Sequence, residues 1–136
     1  MLKKNRMTSA DNNFTRISCD YGIPLCDAQK WQEKLTLLKD RRPLCIISNW
    51  TYWDIKYLKD DIGTLKERGL LPAAIFSENI MWDERHRWPQ GSCVKTTWLK
   101  RFEHNCVFHT KNTTYLLVGS GTRCSISPDM FNSFHF

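Results

Sequence analysis

Basic and aromatic side chains are concentrated in the C-terminal half of the chain, and this combination suits the binding of an anionic partner. Between positions 85 and 123 the chain contains Arg85, His86, Arg87, Trp88, Lys95, Trp98, Lys100, Arg101, Lys111 and Arg123. Alternate residues of a strand share one face, so Lys95, Thr97 and Arg101 are predicted to project together, with Lys111 on a neighbouring strand. Such a face could hold a phosphate backbone while an exposed Trp stacks on a base. The alternative is an ordinary solvated sheet face with Trp98 in the core behind it.

We therefore predict that partner-binding residues are drawn from these cations and from the aromatic stretch that follows residue 49. The predicted set is Arg85, Arg87, Lys95, Lys100, Arg101, Lys111, Arg123, Trp50 and Trp53. Exposed Trp side chains commonly anchor protein interfaces. The sequence leaves open whether Trp50, Tyr52 and Trp53 form such an exposed patch or belong to the core.

Side chains suited to catalysis occur only in weak arrangements. Cys106 with His109 or His104 would be a thiol and its base, and His86 with His109 and Lys111 would resemble a metal-free RNA-cleaving set. Neither has the spacing of an established catalytic motif. We predict no catalytic residue and no cofactor, and the lack of a C-x-x-C pair predicts no metal site.

The glycine-containing segment GSGTR, residues 119–123, has two interpretations. Backbone N–H groups of such a loop can cradle a phosphate, with Arg123 adding a charge, but the spacing is not that of a P-loop. A turn between two strands is the favoured interpretation, because glycine supplies the backbone conformations that tight turns require.

Helices and one buried strand are predicted in the N-terminal half. Helical spacing of apolar residues indicates a helix from Asp27 to Arg42, with Asp27 as its N-cap. Residues 44–48 (LCIIS) are too short for a helix and predict a buried strand. A second short helix is predicted from Asp60 or Asp61 to Arg68, while residues 49–58 are ambiguous.

The C-terminal half has the pattern of a β-sheet. Strands are predicted over residues 73–82, 92–102, 106–118 and 123–127, with a tight hairpin at His104-Asn105. The predicted fold is α+β: an antiparallel or mixed sheet, arranged as a meander in the C-terminal half, with two N-terminal helices packed on one face. Residues 1–14 are expected to be a disordered tail, and residues 15–136 to form a single domain.

Composition predicts a soluble protein. The chain has 136 residues, of which 41% are hydrophobic and 12% aromatic, enough to form the core of one domain. No apolar run approaches the roughly 18 residues of a membrane span, and no secretory signal is recognisable, so a cytoplasmic location is expected. The net charge of +6 favours an acidic partner, either nucleic acid or an acidic protein surface.

A series of motifs between Gly69 and Arg123 resembles a family of small uncharacterised bacterial and prophage proteins, DUF6957. The motifs are GLLP from residue 69, DERHRW from residue 83, GSCVKTT from residue 91 and FHTKNTTYLLVGSGTR from residue 108. Ser92-Cys93 stands where that family usually has Asp-Trp, and Lys95 and Lys111 replace its usual Arg. Lysine keeps the charge but lacks the planar fork that grips an anion at two points, which makes a bidentate role less expected.

The resemblance implies no established activity, but it does suggest a class of protein. It implies a mobile-element or bacterial accessory protein. Together with the small single domain, the missing catalytic set and the basic face, it leads us to expect a non-enzymatic protein of phage or prophage type that occludes a host protein or nucleoprotein complex, such as a CRISPR effector of a bacterial defence system. One alternative is a nucleic-acid-binding module that uses the basic sheet face, and a second is a small RNase-like toxin. No membrane partner is expected, and the oligomeric state is not indicated.

Two residues of the segment TKNTTY, residues 110–115, are predicted to have structural roles. We expect Asn112 to bond to the backbone at an irregular part of the strand, and Tyr115 to be buried with its hydroxyl partnered.

The six cysteines are expected to be free, buried thiols, since nothing in the chain directs it to an oxidising compartment. All six should therefore react with a thiol reagent after unfolding without reductant. Mass spectrometry that showed the loss of two hydrogens per cysteine pair would contradict this expectation.

Overall fold

The computed structural model describes residues 16–39, 41–57 and 59–134, with the side chains of residues 59 and 60 excepted. The predicted tail, residues 1–14, lies outside these ranges. A 3-10 turn at Leu25–Asp27 precedes the first helix. The strands and α-helices, in chain order, are β1 (Ile17–Cys19), α1 (Ala28–Thr36), β2 (Leu44–Ile55), α2 (Lys59–Glu67), β3 (Ala73–Asp83), β4 (Val94–Lys95), β5 (Arg101–Glu103), β6 (Val107–His109), β7 (Thr114–Leu117), β8 (Gly121–Ile126) and α3 (Pro128–Ser133).

Strand β2 is the centre of a mixed sheet. Along one edge it pairs antiparallel with β3. Along the other edge it pairs in parallel with two strands in succession, first β7 and then β8. Strands β6 and β5 extend the sheet beyond β7, β1 extends it beyond β8, and β4 pairs with β3. The α+β class and a mixed sheet are confirmed, but the sheet is not a meander of the C-terminal half, because its central strand comes from residues 44–55.

The ambiguous segment after residue 48 belongs to β2, and both faces of this strand are buried. Cys45, Ile47, Trp50 and Tyr52 share one core cluster, although the first two positions are odd-numbered and the last two even-numbered. The alternation reverses at Asn49, whose φ of 48° lies in the left-handed region that asparagine tolerates. Odd- and even-numbered residues therefore do not keep to opposite faces along the whole of this strand.

The sheet curls around that interior cluster, and residues 96–100 close it. The Thr96 and Leu99 amides donate to the carbonyls of Ile75 and Ala73, each at 2.9 Å, and the Lys100 amide donates to the His109 carbonyl at 2.8 Å. This segment therefore bridges β3 and β6. The predicted strand over residues 92–102 is interrupted here, because the chain changes from one partner strand to another.

Helices α1 and α3 cover opposite ends of β2 on its other face. Leu35 and Trp31 of α1 pack with Ile46 and neighbouring apolar residues. Phe131 of α3 packs with Trp53 and Ile126. The predicted arrangement of two N-terminal helices on one face is thus not matched, and α3 was not predicted. The sequence nevertheless contains signals for the start of α3. Ser127 is an N-cap residue whose side chain accepts a hydrogen bond from the Met130 amide at 3.1 Å, and Pro128 occupies the first turn.

The predicted positions of individual helices, strands and turns agree with the structure more closely than the predicted arrangement of the sheet and helices. Asp27 lies at the N-cap position of α1, although its side chain makes no capping hydrogen bond, and this helix ends at Thr36 rather than at Arg42. Helix α2 and strand β3 lie within a residue or two of their predicted positions. His104 and Asn105 adopt φ of 55° and 56° between β5 and β6, which confirms the tight hairpin.

None of the described helices has both the length and the apolar composition needed to cross a membrane.

Replacing Gly121 with Ala should lower the free energy of unfolding by roughly 1–3 kcal/mol, because the new Cβ would overlap the ring of Trp50. Gly63→Ala in α2 is the matched control. A Cβ there meets nothing within 4 Å, and alanine favours a helix by up to about 1 kcal/mol. Urea unfolding followed by tryptophan fluorescence measures both. Equal stability of the two variants would show that the contact between Trp50 and Gly121 does not constrain the fold.

Candidate functional site

A cavity of about 500 Å³ opens between the bridging segment, the ends of two helices and the turn between β6 and β7. Its cations are Arg68, Lys95 and Lys111. No carboxylate lines it among the residues that the structure describes. We call this cavity the basic cleft, and its complete lining is Arg68, Leu70, Lys95, Thr96, Thr97, Trp98, Lys111, Asn112, Phe131 and Asn132.

Four separate parts of the chain supply the polar side chains of the basic cleft. Arg68 follows the last turn of α2, where the Arg68 amide donates to the Leu65 carbonyl at 3.0 Å. Lys95 lies in β4, and Asn132 lies in α3. Lys111 and Asn112 occupy the tip of the turn formed by residues 110–113. The cleft exists only because the tertiary structure joins these segments.

Lys95 is held in a fixed position within the basic cleft. Its Nζ donates to the Phe131 carbonyl at 3.0 Å and lies 4.2 Å from the centre of the Phe131 ring. Burial lowers the pKa of this partly buried ammonium group. A bound anion would compensate for the lost hydration and favour the charged form.

The turn formed by residues 110–113 is braced by Thr110, which is 1% exposed. The Thr110 hydroxyl accepts from the Thr113 amide at 3.1 Å and donates to the Thr113 carbonyl at 3.0 Å. The predicted structural role of Asn112 is wrong, because Asn112 is exposed and Thr110 provides the bonds to the backbone. This brace presents Lys111 and Asn112 to solvent from a rigid turn.

The prediction for Tyr115 is confirmed. Tyr115 is 4% exposed. Burial raises the pKa of its hydroxyl to about 12, and a hydrogen bond with Thr113 partly opposes that rise.

Trp98 forms a wall of the basic cleft rather than a free stacking platform. Its ring stacks on Phe131 with centroids 4.9 Å apart, and the Tyr57 ring meets it at 5.4 Å in an edge contact. These contacts fix the indole. A ligand in the cleft therefore meets a shaped apolar wall with cations and amides around it.

Two predicted site residues, Arg87 and Arg123, have structural roles in ion pairs. Arg87 grips both carboxylate oxygens of Asp83, at 3.0 and 2.7 Å, and donates to the Thr113 hydroxyl at 2.8 Å. Burial would raise the pKa of Asp83, whose side chain has no exposed surface, but the hydrogen bonds from Arg87 outweigh it and the pKa is lowered. Arg123 grips Asp54 at 2.7 and 2.9 Å in the same way.

Trp50 and Trp53, which were predicted as partner-binding residues, are each 1% exposed, so neither side chain presents a surface to a partner. Both belong to the core clusters of β2, the burial alternative that the sequence left open. The Trp50 indole donates to the Gly119 carbonyl at 3.2 Å, in the turn between β7 and β8. Residues 119–120 thus form a strand-to-strand turn, as favoured from the glycines of segment 119–123, and residues 121–123 begin β8.

The remaining predicted cations do not form one face with Lys95. Arg85 and Lys100 are exposed outside the basic cleft. Arg101 is 59% exposed and pairs with Glu103 at 3.1 Å. Lys95 and Arg101 lie in different short strands, because residues 96–100 are not a strand, so the predicted alternation between them does not apply. Lys95 and Lys111 both line the basic cleft.

Of the His and Cys candidates, His109 and Cys106 have structural roles, while His86 and His104 are exposed. Both ring nitrogens of His109 have partners, Glu103 at 2.7 Å and Thr114 at 3.2 Å. Burial lowers the pKa of His109, although Glu103 opposes that shift. Cys106 is fully buried, and burial raises the pKa of its thiol to about 11, whereas a nucleophilic cysteine needs a lowered pKa. Within the described ranges no three metal-ligating side chains cluster.

The prediction that the cysteines are buried is confirmed for three of the six. Cys45, Cys106 and Cys124 are buried, Cys19 is intermediate, and Cys26 and Cys93 are exposed.

Arg68 and Asn132 of the basic cleft were missed by the sequence analysis. Arg68 lies outside the region in which basic and aromatic residues are concentrated, and Asn132 has no local signal. Only the meeting of α2, α3 and the turn at residues 110–113 identifies them.

Comparison with known proteins gives one match. Residues 22–133 match the family described as a domain of unknown function (DUF6957), and this match covers most of the chain. The chain therefore belongs to that family. No curated protein and no solved structure is significantly similar to it.

Arg87→Ala should lower the free energy of unfolding by roughly 3 kcal/mol, because it leaves the buried carboxylate of Asp83 without its partner. The matched control is Arg85→Ala, two residues away and exposed, for which we expect a change within about 0.5 kcal/mol. Denaturant titration of both variants measures the difference. A similar small effect for both would show that the ion pair with Asp83 is dispensable.

Proposed function

We propose that this member of the DUF6957 family is a non-enzymatic binding protein that engages an anionic macromolecule through its basic cleft. The observation that supports the proposal is the unbalanced charge of the cleft. Three cations approach one concave surface, and no described carboxylate lies on it. Such a surface attracts anions, because low-dielectric walls concentrate the field of like charges.

The contrast with four ion-paired arginines supports the cleft as the binding surface. Arg41, Arg87, Arg101 and Arg123 each have a carboxylate partner, in order Glu84, Asp83, Glu103 and Asp54. For Arg68, Lys95 and Lys111 no ion pair occurs within the described part of the chain. The four paired arginines have structural partners within the protein, whereas the charges of the cleft remain available to a ligand.

Binding without catalysis is supported by the state of the candidate nucleophile and base. Cys106 is buried with a raised thiol pKa, and both ring nitrogens of His109 are occupied by other protein groups. The mechanism would then be steric and electrostatic occlusion of the partner. The more specific proposal, that a phage or prophage protein occludes a host complex such as a CRISPR effector, rests on the family resemblance.

Reversal of two exposed cleft charges, Arg68→Glu with Lys111→Glu, should abolish partner binding and leave the fold intact, since exposed charges contribute little to stability. The measurement is capture of the partner from bacterial lysate by immobilised protein, with and without nuclease. Loss of capture only after nuclease would identify a nucleic acid.

The matched control is the double variant Lys30→Glu with Lys56→Glu, which makes the same change in net charge at exposed positions outside the cleft. We expect it to capture the partner normally. If the cleft variant also captured normally while remaining folded, the proposed surface would be wrong.

A further inference from the structure

A second group of cations lies on the other side of the turn formed by residues 110–113. A small cavity of about 90 Å³ there is lined by Lys39, Arg41, Arg42 and Arg101, together with apolar residues of α1 and β2. His109 and Thr114, at the two ends of the strands joined by the turn, complete one wall. We call this cavity the second basic site.

The turn connects the second basic site to the basic cleft. Arg42 Nε donates to the Lys111 carbonyl at 2.5 Å, while the Lys111 side chain lines the cleft on the opposite side. Arg87 donates to the Thr113 hydroxyl at 2.8 Å. Two arginines thus hold the turn, at Lys111 and at Thr113, and the turn forms a short rigid boundary between the two cavities.

Not all cations of the second basic site are neutralised. Arg41 grips Glu84 with two hydrogen bonds of 2.6 Å, and Arg101 pairs with Glu103 at 3.1 Å. Lys39 and Arg42 have no carboxylate partner in residues 16–39, 41–57 and 59–134. Cations without a carboxylate partner among the described residues therefore occur on both sides of the turn.

The polar groups of the basic cleft favour a nucleotide over an acidic side chain. Asn112, Asn132 and Thr97 offer both donors and acceptors. A carboxylate needs only donors, whereas the edge of a nucleobase presents donors and acceptors together. The three cations would meet the phosphate next to that base.

We infer that the basic cleft and the second basic site hold separate, non-adjacent phosphates of one single-stranded nucleic acid that crosses the turn formed by residues 110–113. This inference rests on the proposed function of the cleft. A cavity of about 500 Å³ has room for a nucleotide but not for a duplex. A base reaches the amides at its walls only when it is unpaired and unstacked, which is the usual state in sequence-specific recognition of RNA.

Binding should depend on charge more than on base stacking. Trp98 is already stacked on Phe131 and flanked by Tyr57, so it offers no free ring face comparable to those of typical single-strand binders. The affinity should accordingly fall steeply with salt, by a slope of about 0.7 in log K per phosphate neutralised on a single strand.

Fluorescence anisotropy with labelled single-stranded DNA and RNA of about 4 and about 16 nucleotides tests the inference, since these lengths span the usual site sizes. Lys39→Glu should weaken binding of the long strands at least threefold and leave the short ones unchanged, because only a long strand reaches the second site. Its salt slope should fall by about 0.7. Arg68→Glu with Lys111→Glu should weaken both lengths and lower the slope by about 1.4.

Lys30→Glu is the matched control for Lys39→Glu, since both lysines are exposed and belong to the same N-terminal region. We expect no change for it. The inference would be overturned if the protein bound no oligonucleotide, if Lys39→Glu and Lys30→Glu behaved alike, or if a duplex of the same length bound as tightly as the single strand.

The inference and the proposed function fail in different ways. Nuclease-resistant capture of a protein that is lost on reversal of Arg68 and Lys111, with no binding of oligonucleotides, would overturn the nucleic-acid inference and support the proposed function. Oligonucleotide binding that is insensitive to those reversals would overturn both.

Discussion

The packing of Trp50 against the turn between β7 and β8 is the contact on which the rest of the structure depends. At this point β2 exchanges one parallel partner for the next, and the backbone of Asn49 reverses the alternation of side chains so that Trp50 enters the same interior cluster as Ile47. Gly121 leaves room for the indole, and the Gly119 carbonyl accepts its N–H at 3.2 Å. Since protein interiors are close-packed, this bulky ring sets the relative position of the two C-terminal strands. Strand β7 leads back to the turn that lines the basic cleft, and β8 leads forward to α3, which lines its other side.

Ion pairing divides the basic residues into two groups with different roles. Arg87 and Arg123 each form a two-pronged interaction with an aspartate, and Arg87 continues to Thr113 at the base of the turn. Hydrogen bonds to Asp54 raise the pKa of Arg123, so this guanidinium remains charged at all accessible pH values. Arginine suits these positions because its planar fork matches a carboxylate. The cations of the cleft, Arg68, Lys95 and Lys111, form no ion pair within the described part of the chain.

The cleft combines rigidity with unneutralised charge. Thr110 braces the turn from inside, Arg42 and Arg87 hold it at Lys111 and Thr113, and the Phe131 carbonyl positions Lys95. A site that is held in place before its ligand arrives loses less conformational entropy on binding. Cys106 is buried, and both ring nitrogens of His109 are hydrogen-bonded to other side chains. These two residues therefore stabilise the strands that precede and follow the turn and add to its rigidity.

Local patterns in the sequence determined the elements whose stability is mostly local. Helical spacing located α1 and α2, turn residues located the hairpin at His104-Asn105 and the turn at Gly119, and β-rich composition located β3. The family motifs likewise indicated the membership that the match over residues 22–133 establishes. The tertiary structure alone decided the rest. Alternation shows that a residue lies on one face of a strand, but it does not show which strand is its partner, so the central position of β2 and the interruption at residues 96–100 could not be foreseen. The same reason applies to the site: Arg87 and Lys111 are both cations in a basic segment, and only the buried carboxylate of Asp83 beside one of them makes it structural while the other faces the cleft.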